Sequence, residues 1–418
     1  METKQPSYGR AKWACYVGNI TQAITCNVPP LLFITFHNIY DISYSLLGLL
    51  VLVFFFSQLG IDLIFSFFSH KFNIRKTVCA MPVLAIVGLT VYALFPMFFT
   101  NHPYIGLVIG TVIFALSSGL AEVLVSPIIA AIPCANPERE MSKLHSIYAW
   151  GVVGVVLFGT VFLLLFKAEN WHYLVLLCAL SPLTCAILFF TSTLPPMETP
   201  EKVSGVLEHL KNKELWLCVI AIFLGGASEC TMAQWSSSYL EQAVGLPKIW
   251  GDVFGVALFG LTLGLGRTLY AKYGKNAEKV LFLGAIGATV CYLSAALTNI
   301  AVLGLIACGL TGLCVSMLWP GSLIIASERI PTGGVFLYAM MAAGGDFGAS
   351  AGPQLVGLIT DGIAASERAA GFASQWGLTL EQLGMKCGML IGMLFPLIAI
   401  FLYLHLLRTK RKSTLPLS

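Results

Sequence analysis

The chain has 418 residues, of which 57% are hydrophobic and only 11% are charged, and its net charge is +4. A soluble domain needs more polar and charged surface than this composition supplies. The composition therefore excludes a water-soluble globular protein and predicts a chain embedded in a lipid bilayer.

Long apolar stretches recur along the whole chain, separated by short segments that contain charges, Pro or Gly. A helix needs roughly 20 mostly apolar residues to cross a hydrocarbon core about 30 Å thick, and only helices satisfy their backbone groups within such a segment. The pattern predicts twelve membrane spans, at 11–37, 44–69, 78–99, 104–132, 144–166, 171–194, 214–238, 250–270, 278–297, 300–327, 333–360 and 384–407.

The distribution of Lys and Arg predicts the orientation of these spans. If the N-terminus is cytoplasmic, most of the 24 Lys and Arg residues fall on cytoplasmic segments, and the outer segments hold only Lys167, Lys248, Arg368 and Lys386. This bias favours two cytoplasmic termini and an even number of spans. The positive net charge is then a feature of topology and gives no reason to expect a nucleic-acid partner. The short loops favour a bacterial inner membrane.

Two pairs of sequence matches at identical spacing indicate that the chain consists of two related halves. Each half has a Gly-Leu pair followed by Pro, and a Tyr-Ala pair followed by Gly; the matches are Gly119-Leu120 and Pro127 with Gly312-Leu313 and Pro320, and Tyr148-Ala149 and Gly154 with Tyr338-Ala339 and Gly344. Transporters are often built from such repeats. We predict a first six-helix bundle at 1–194, a cytoplasmic linker at 195–213 and a second bundle at 214–418. Pro320 also predicts a kink in the tenth span.

The loop after the second span, 66–76, and its echo after the eighth, Ala271–Lys275, carry basic residues in a pattern that resembles the major facilitator superfamily. This resemblance implies an all-α fold with two pseudo-symmetric six-helix bundles around a central cavity. Glu122 and the segment 226–235, which contains Glu229 and Trp235, are similar to the fucose-permease-like branch of proton symporters. That resemblance implies sugar transport driven by protons.

Three acids in apolar spans are candidates for proton coupling, namely Glu122, Glu229 and Asp346. An ionisable side chain at membrane depth is costly, so such residues are functional candidates that usually face a cavity. Ser118 and Ser126 lie one turn on either side of Glu122 and give it a polar stripe. The alternatives are a hydrogen bond between helices for Glu122 and Glu229, and a structural cap on a kinked helix for Asp346.

A polar stripe on the first span and several aromatic residues predict a solute-binding surface. Asn19, Gln22 and Cys26 recur at i, i+3 and i+7, with Asn27 adjacent, and therefore share one helix face. Aromatic rings suit the apolar face of a sugar, but they also serve as interface anchors. The predicted binding residues are Asn19, Gln22, Asn27, Tyr148, Trp150, Gln234 and Trp235.

Five further polar residues near the cytoplasmic ends of spans are candidates for gating contacts, namely Asp62, Lys71, Arg75, Arg267 and Lys272. For Asp62 a contact with a facing helix is favoured over solute binding, because it lies two turns before the loop at His70. For Arg267 the simpler explanation is snorkelling to the membrane interface.

The chain has no Gly-x-x-x-x-Gly-Lys-Ser/Thr loop, so ATP is not expected as the energy source. We predict no enzyme activity, no cofactor and no metal. The leading hypothesis is proton-coupled uptake of a neutral polar solute, such as a monosaccharide, by a monomer in contact with lipid. The alternative is proton-coupled efflux of amphipathic or cationic compounds, and a transport-inactive receptor is a third class.

Overall fold

The computed structural model describes residues 8–68, 72–134, 137–196, 211–330 and 334–409, where the regular structure is helical throughout. Several spans contain a break. In chain order they are Gly9–Leu31 continued by Phe33–Tyr40, Tyr44–Phe68, Ile74–Phe98, Pro103–Ala131, Pro137–Phe166, Trp171–Cys178 continued by Leu180–Thr191, Lys213–Gln242, Lys248–Trp250 continued by Gly251–Ala257 and Leu258–Tyr273, Ala277–Leu297, Ala301–Val315 continued by Leu318–Arg329, Gly334–Ala364, and Leu380–Arg408. The predicted all-α fold with twelve spans is confirmed.

Large apolar side chains remain exposed on the outside of the helices, for example Leu165 at 71%, Phe401 at 69% and Val302 at 63%. Such a surface is unfavourable in water and matches the hydrocarbon of a bilayer. By length and hydropathy alone, 10 of the described helices could cross a membrane. The first and eleventh spans fall outside this set, and both carry polar residues or many glycines in mid-helix.

The two bundles use the repeated glycines in the same way. A side chain at Gly119 in the fourth span would lie 2.0 Å from Ile61 in the second span. A side chain at Gly312 in the tenth span would lie 2.2 Å from the carbonyl oxygen of Phe259 in the eighth span. Each glycine therefore permits close approach of equivalent helices, which explains why the motif occurs once in each half.

Pro320 interrupts the tenth span, as its sequence predicts. The helix Ala301–Val315 ends before Ser316, and the next helix begins at Leu318. Because proline lacks a backbone N–H, the Ser316 carbonyl loses its normal helical donor. This oxygen instead accepts a hydrogen bond from Arg267 Nε at 3.1 Å, so the break creates a polar contact inside the second bundle.

The spans share two common ends, and we call the one that carries Lys12, Arg75, Lys143 and Arg329 the basic end. Within the first bundle, Glu140 binds Lys12 Nζ at 2.5 Å and Lys143 Nζ at 2.9 Å. The hydrogen bond from Lys12, with a further one from Lys143, lowers the pKa of Glu140 to about 2. Glu140 is therefore ionised at physiological pH, and its ion pairs weaken only as the pH falls toward that value.

The second bundle closes its basic end in a similar way. Arg329 in the tenth span donates to Glu214 Oε2 in the seventh span at 2.8 Å. It also donates to the Leu406 carbonyl oxygen in the twelfth span at 2.8 Å. At the basic end, these charged residues thus join spans within one bundle.

Candidate solute and proton site

Three of the predicted acids lie close enough to interact electrostatically, namely Asp62, Glu122 and Asp346. Asp62 and Glu122 belong to the second and fourth spans of the first bundle, whereas Asp346 belongs to the eleventh span of the second bundle. The cluster therefore bridges the two halves of the protein. We call these three residues the acid cluster.

The acid cluster is near the middle of the spans and displaced toward the basic end. At a rise of 1.5 Å per residue, Glu122 lies roughly 13 Å and Asp346 roughly 18 Å along their helices from that end. Glu122 is solvent-exposed, whereas Asp62 is 5% and Asp346 2% exposed. Glu122 is therefore the accessible member of the acid cluster.

The hydrogen-bonding capacity of the acid cluster is only partly used. Gln58 Nε2 donates to Glu122 Oε2 at 2.5 Å. Asp62 Oδ1 and Asp346 Oδ2 are buried oxygens without a hydrogen-bond partner among the described residues. A buried ionised carboxylate without a partner is costly. These oxygens are therefore suited to take up a proton or a cation.

Neutral polar side chains from both bundles meet beside the acid cluster. Gln234 Nε2 of the seventh span lies 3.8 Å from Cys26 Sγ of the first span. Tyr148 of the fifth span lies close to the same thiol, and Glu122 and Asp346 interact electrostatically with it. The structure thus brings the predicted residues Tyr148 and Gln234 to the acid cluster. We call Cys26, Tyr148 and Gln234 the neutral group.

Glu229 and Arg267, both predicted site residues, form an ion pair within the second bundle. Arg267 Nη2 lies 3.0 Å and 3.2 Å from the two carboxylate oxygens of Glu229. The proposed snorkelling of Arg267 is wrong, because its guanidinium points to Glu229 and to the Ser316 carbonyl freed by Pro320. The pair leaves Glu229 with a fixed counter-ion, unlike the acid cluster.

We expect Arg267→Gln to destabilise the protein more than the double variant Glu229→Gln/Arg267→Gln. The single change leaves the Glu229 carboxyl group, whose side chain is 15% exposed, without its cation, whereas the double change removes both charges. Since Arg267 is 40% exposed, solvent screening reduces the effect to about 1 kcal/mol. Thermal unfolding of the purified protein should show a Tm lower by roughly 2 °C for the single variant. A double variant no more stable than the single one would contradict the pairing.

The residues of the polar stripe predicted on the first span do not all lie at the acid cluster. Asn19 Nδ2 donates to the Leu144 carbonyl oxygen at 3.0 Å, and Asn27 Nδ2 donates to the Ala23 carbonyl oxygen at 2.8 Å. Gln22 lines a small cavity inside the first bundle together with Ser117 and Ser118. A shared helix face indicates that residues point the same way, but it does not reveal which neighbour they meet.

The two predicted tryptophans also lie away from the acid cluster. Trp150 is 66% exposed and lines a lateral apolar groove between the first, fifth and sixth spans. Trp235 is fully buried, donates from Nε1 to the Pro353 carbonyl oxygen at 2.9 Å, and packs on Phe33 with ring centroids 5.2 Å apart. Trp235 thus contributes to the contact between the bundles and is not open to a solute in this conformation.

Those predicted gating residues of the basic end that the structure describes make no common contact. Arg75 donates from Nη1 to the Ser192 carbonyl oxygen at 2.6 Å, which ties the third span to the end of the sixth within the first bundle. Lys272 is exposed and lies 5.2 Å from the ring centre of Tyr273. Asp62 belongs to the acid cluster, and Lys71 lies outside the described residues.

Among the described residues, polar contacts join the bundles at the end opposite the basic end, through residues that the sequence analysis did not single out. Asp252, which is 0% exposed, accepts hydrogen bonds from Thr160 Oγ1 at 2.8 Å and from Ser237 Oγ. Lys248 lies 3.4 Å from Asp252 and donates to the Leu31 carbonyl oxygen at 2.8 Å. Four spans from both bundles therefore meet at one buried carboxylate.

A second contact between the bundles caps a helix of one with a side chain of the other. Asp361, near the end of the eleventh span, accepts from the backbone N–H of Tyr44 at 3.1 Å and of Ser45 at 2.6 Å. These N–H groups open the second span and have no partner within their own helix. Tyr44 also donates its hydroxyl to Glu381, which lies 3.5 Å from His37. The seal at this end thus depends on matched polar groups.

A serine in the eleventh span matches a hydrolase motif without its geometry. The residues from Gly348 to Gly352 read Gly-x-Ser-x-Gly, but they lie inside the helix Gly334–Ala364 and not in a turn between strand and helix. Ser350 is fully buried, and its hydroxyl donates to the Phe347 carbonyl oxygen at 2.8 Å. This serine is not placed to act as a nucleophile.

Comparison with known families supports the two-bundle architecture. The model of the Major Facilitator Superfamily matches residues 15–353, which is most of the chain. The chain belongs to this superfamily. The superfamily is one of transporters, so membrane transport is the coarse function of this protein. No curated protein matches the chain at a significant level.

Several solved structures of the superfamily share the fold at low sequence identity. A bacterial homologue of the human lysosomal transporter Spinster is 15% identical, with a TM-score of 0.72 over 99% of this chain and 100% of its own. The nucleoside transporter NupG is 10% identical, with a TM-score of 0.73 over 94% and 99%. The xylose transporter XylE from E. coli is 14% identical, with a TM-score of 0.65 over 97% and 96%. These likenesses extend to the fold alone.

Some of the overlooked residues carried a signal in the sequence. Lys248 and Asp252 are four residues apart at the start of the eighth span, a spacing that allows an ion pair on one helical face. Asp361 had no such signal, because its partners are more than 300 residues away and are backbone groups. Gln58 was also overlooked, although it lies one turn before Asp62 and therefore on the same helix face as a predicted acid.

Proposed function

We propose that this protein is a secondary active transporter that works by alternating access and moves a small neutral polar solute, such as a monosaccharide, together with protons. The observation that carries this proposal is the acid cluster, in which Asp62 and Asp346 retain unpartnered buried oxygens. Such carboxylates need a proton or a cation as partner. Because the acid cluster is shared between the bundles, its carboxyl groups separate when the bundles move apart. This separation couples protonation to conformation.

The neutral group favours an uncharged solute. Cys26, Tyr148 and Gln234 offer hydrogen-bond donors and acceptors without a net charge. Arg267, a cation within the second bundle, is already paired with Glu229. An anionic solute would therefore lack a counter-ion, whereas hydroxyl groups of a sugar could bond to the amide, phenol and thiol.

The bias of Lys and Arg supports a cytoplasmic location of the basic end and of both termini. In that orientation the contacts of Asp252 and Asp361 join the two bundles on the outside of the membrane. We place the protein in the cell inner membrane, where it acts as a monomer with lipid, protons and a small solute as its partners.

A second candidate function is proton-coupled efflux of cationic or amphipathic compounds. One observation favours it: the acid cluster contains three carboxyl groups, and none of them forms an ion pair with a basic side chain among the described residues. An ammonium group could replace the protons there. The two functions differ in the direction of the pH gradient that drives accumulation.

Purified protein in proteoliposomes with an imposed pH gradient tests both functions. The panel consists of radiolabelled monosaccharides, nucleosides and organic cations, and protein-free vesicles serve as the control. We expect a neutral solute to accumulate when the outside is more acidic. Accumulation of an organic cation when the inside is more acidic would instead support efflux. If uptake of every compound is indifferent to the gradient, proton coupling is wrong.

A further inference from the structure

Among the described residues, Gln58 is the one side chain that donates a hydrogen bond to a carboxyl group of the acid cluster. It lies on the second span, one turn before Asp62, and is 5% exposed. Its Nε2 atom is 2.5 Å from Glu122 Oε2 on the fourth span. The contact orients the exposed carboxyl group from inside the first bundle.

We infer that Gln58 is a positioning residue that holds Glu122 in both of its protonation states, an inference that rests on the proposed function. An amide carries a donor and an acceptor on one plane. When Glu122 is ionised, the NH₂ group donates to the carboxylate. When Glu122 is protonated, a half-turn of the amide lets Oε1 accept the new O–H. The side chain can therefore serve both states without movement of the backbone.

The proton transfer itself involves only Glu122 and water. A proton from water in the cavity joins a carboxylate oxygen of Glu122, and it returns to water after the bundles have moved. Gln58 neither gains nor loses a proton in this cycle. Among the described residues, the other titratable groups that interact with Glu122 are Asp62 from the second span, Asp346 from the eleventh and Cys26 from the first.

Two substitutions at position 58 should shift the pH at which Glu122 is half protonated in opposite directions. Hydrogen bonds to charged acceptors are stronger than bonds between neutral groups, so the amide favours ionised Glu122 on balance. Methionine has a similar length but offers no donor, so Gln58→Met should let Glu122 keep its proton to higher pH. Lysine adds a positive charge, so Gln58→Lys should let Glu122 lose its proton at lower pH. A residue that only fills space would not produce this pair of opposite shifts.

The test titrates the proton itself and needs no knowledge of the solute. Infrared difference spectra of the full-length protein in lipid, recorded across a pH series, report the carbonyl stretch of protonated carboxyl groups. The band that disappears in Glu122→Gln belongs to Glu122. We expect its midpoint to move by about one pH unit toward alkaline pH in Gln58→Met, and by at least about one unit toward acidic pH in Gln58→Lys.

Gln242→Met, at the far end of the seventh span, is the matched control and should keep the wild-type midpoint. If Gln58→Lys does not fold, Gln58→His replaces it, because an imidazole N–H can still donate to the carboxylate and should keep the midpoint on the acidic side of that of Gln58→Met. Unchanged midpoints in folded Gln58 variants would overturn the inference while leaving proton coupling intact. A Glu122 band that does not titrate in the wild-type protein would overturn the proposed function, and with it this inference.

Discussion

Glu122→Gln should abolish concentrative uptake while exchange of solute across the membrane remains measurable. Glutamine has the shape of a protonated glutamate and can still bond to Gln58, so the bundles can move, but it cannot release a proton. For one proton per solute, a gradient of one pH unit can drive roughly tenfold accumulation by the wild-type protein. The variant should equilibrate the solute without accumulating it.

Uptake and counterflow in proteoliposomes with an imposed pH gradient measure this difference. Glu169→Gln provides the matched control, because Glu169 is exposed in the short helix Ala168–Asn170 between two spans. The control should accumulate solute as the wild-type protein does. Unaltered accumulation by Glu122→Gln would remove Glu122 from the coupling mechanism.

Asp252→Asn should shift the protein toward the conformation that opens at the end opposite the basic end. The change removes the charge that holds Lys248 and weakens the bond to Thr160, both of which connect the bundles there. Breaking a buried ion pair by removing one partner costs about 3–5 kcal/mol. Lys248 is 24% exposed, so we expect about 2 kcal/mol, or a factor of roughly thirty in the ratio of the two conformations.

Cys26, in the neutral group, can report this shift when it is kept as the only cysteine. Its rate of modification by a membrane-impermeant maleimide is measured in right-side-out and in inverted vesicles. Asp252→Asn should accelerate modification from the end opposite the basic end and slow it from the basic end. Asp41→Asn is the control, because Asp41 is exposed at the same end. An unchanged ratio of the two rates in Asp252→Asn would exclude Asp252 as part of the seal.

The position of the spans could be predicted from sequence because each span must satisfy its own backbone in lipid. The prediction of a kink at Pro320 was equally local, since it depends only on a missing N–H group. The acids Glu122 and Asp346 were recognised for a similar reason, because charge in an apolar segment is costly wherever the segment packs. These features depend on a residue and its immediate neighbours.

The partners of these residues were decided only by the tertiary structure. The pairing of Arg267 with Glu229, the cap that Asp361 places on the second span and the contacts of Asp252 all depend on how the helices are rotated and packed. Rotation of a helix in lipid is set by its contacts with neighbouring helices. For the same reason, the stripe with Asn19 was visible in the sequence but its direction was not. The sequence by itself determined that the chain lies in a lipid bilayer, how many helices cross it and which acids lie at membrane depth. The packing of the two bundles determined which of those acids meet.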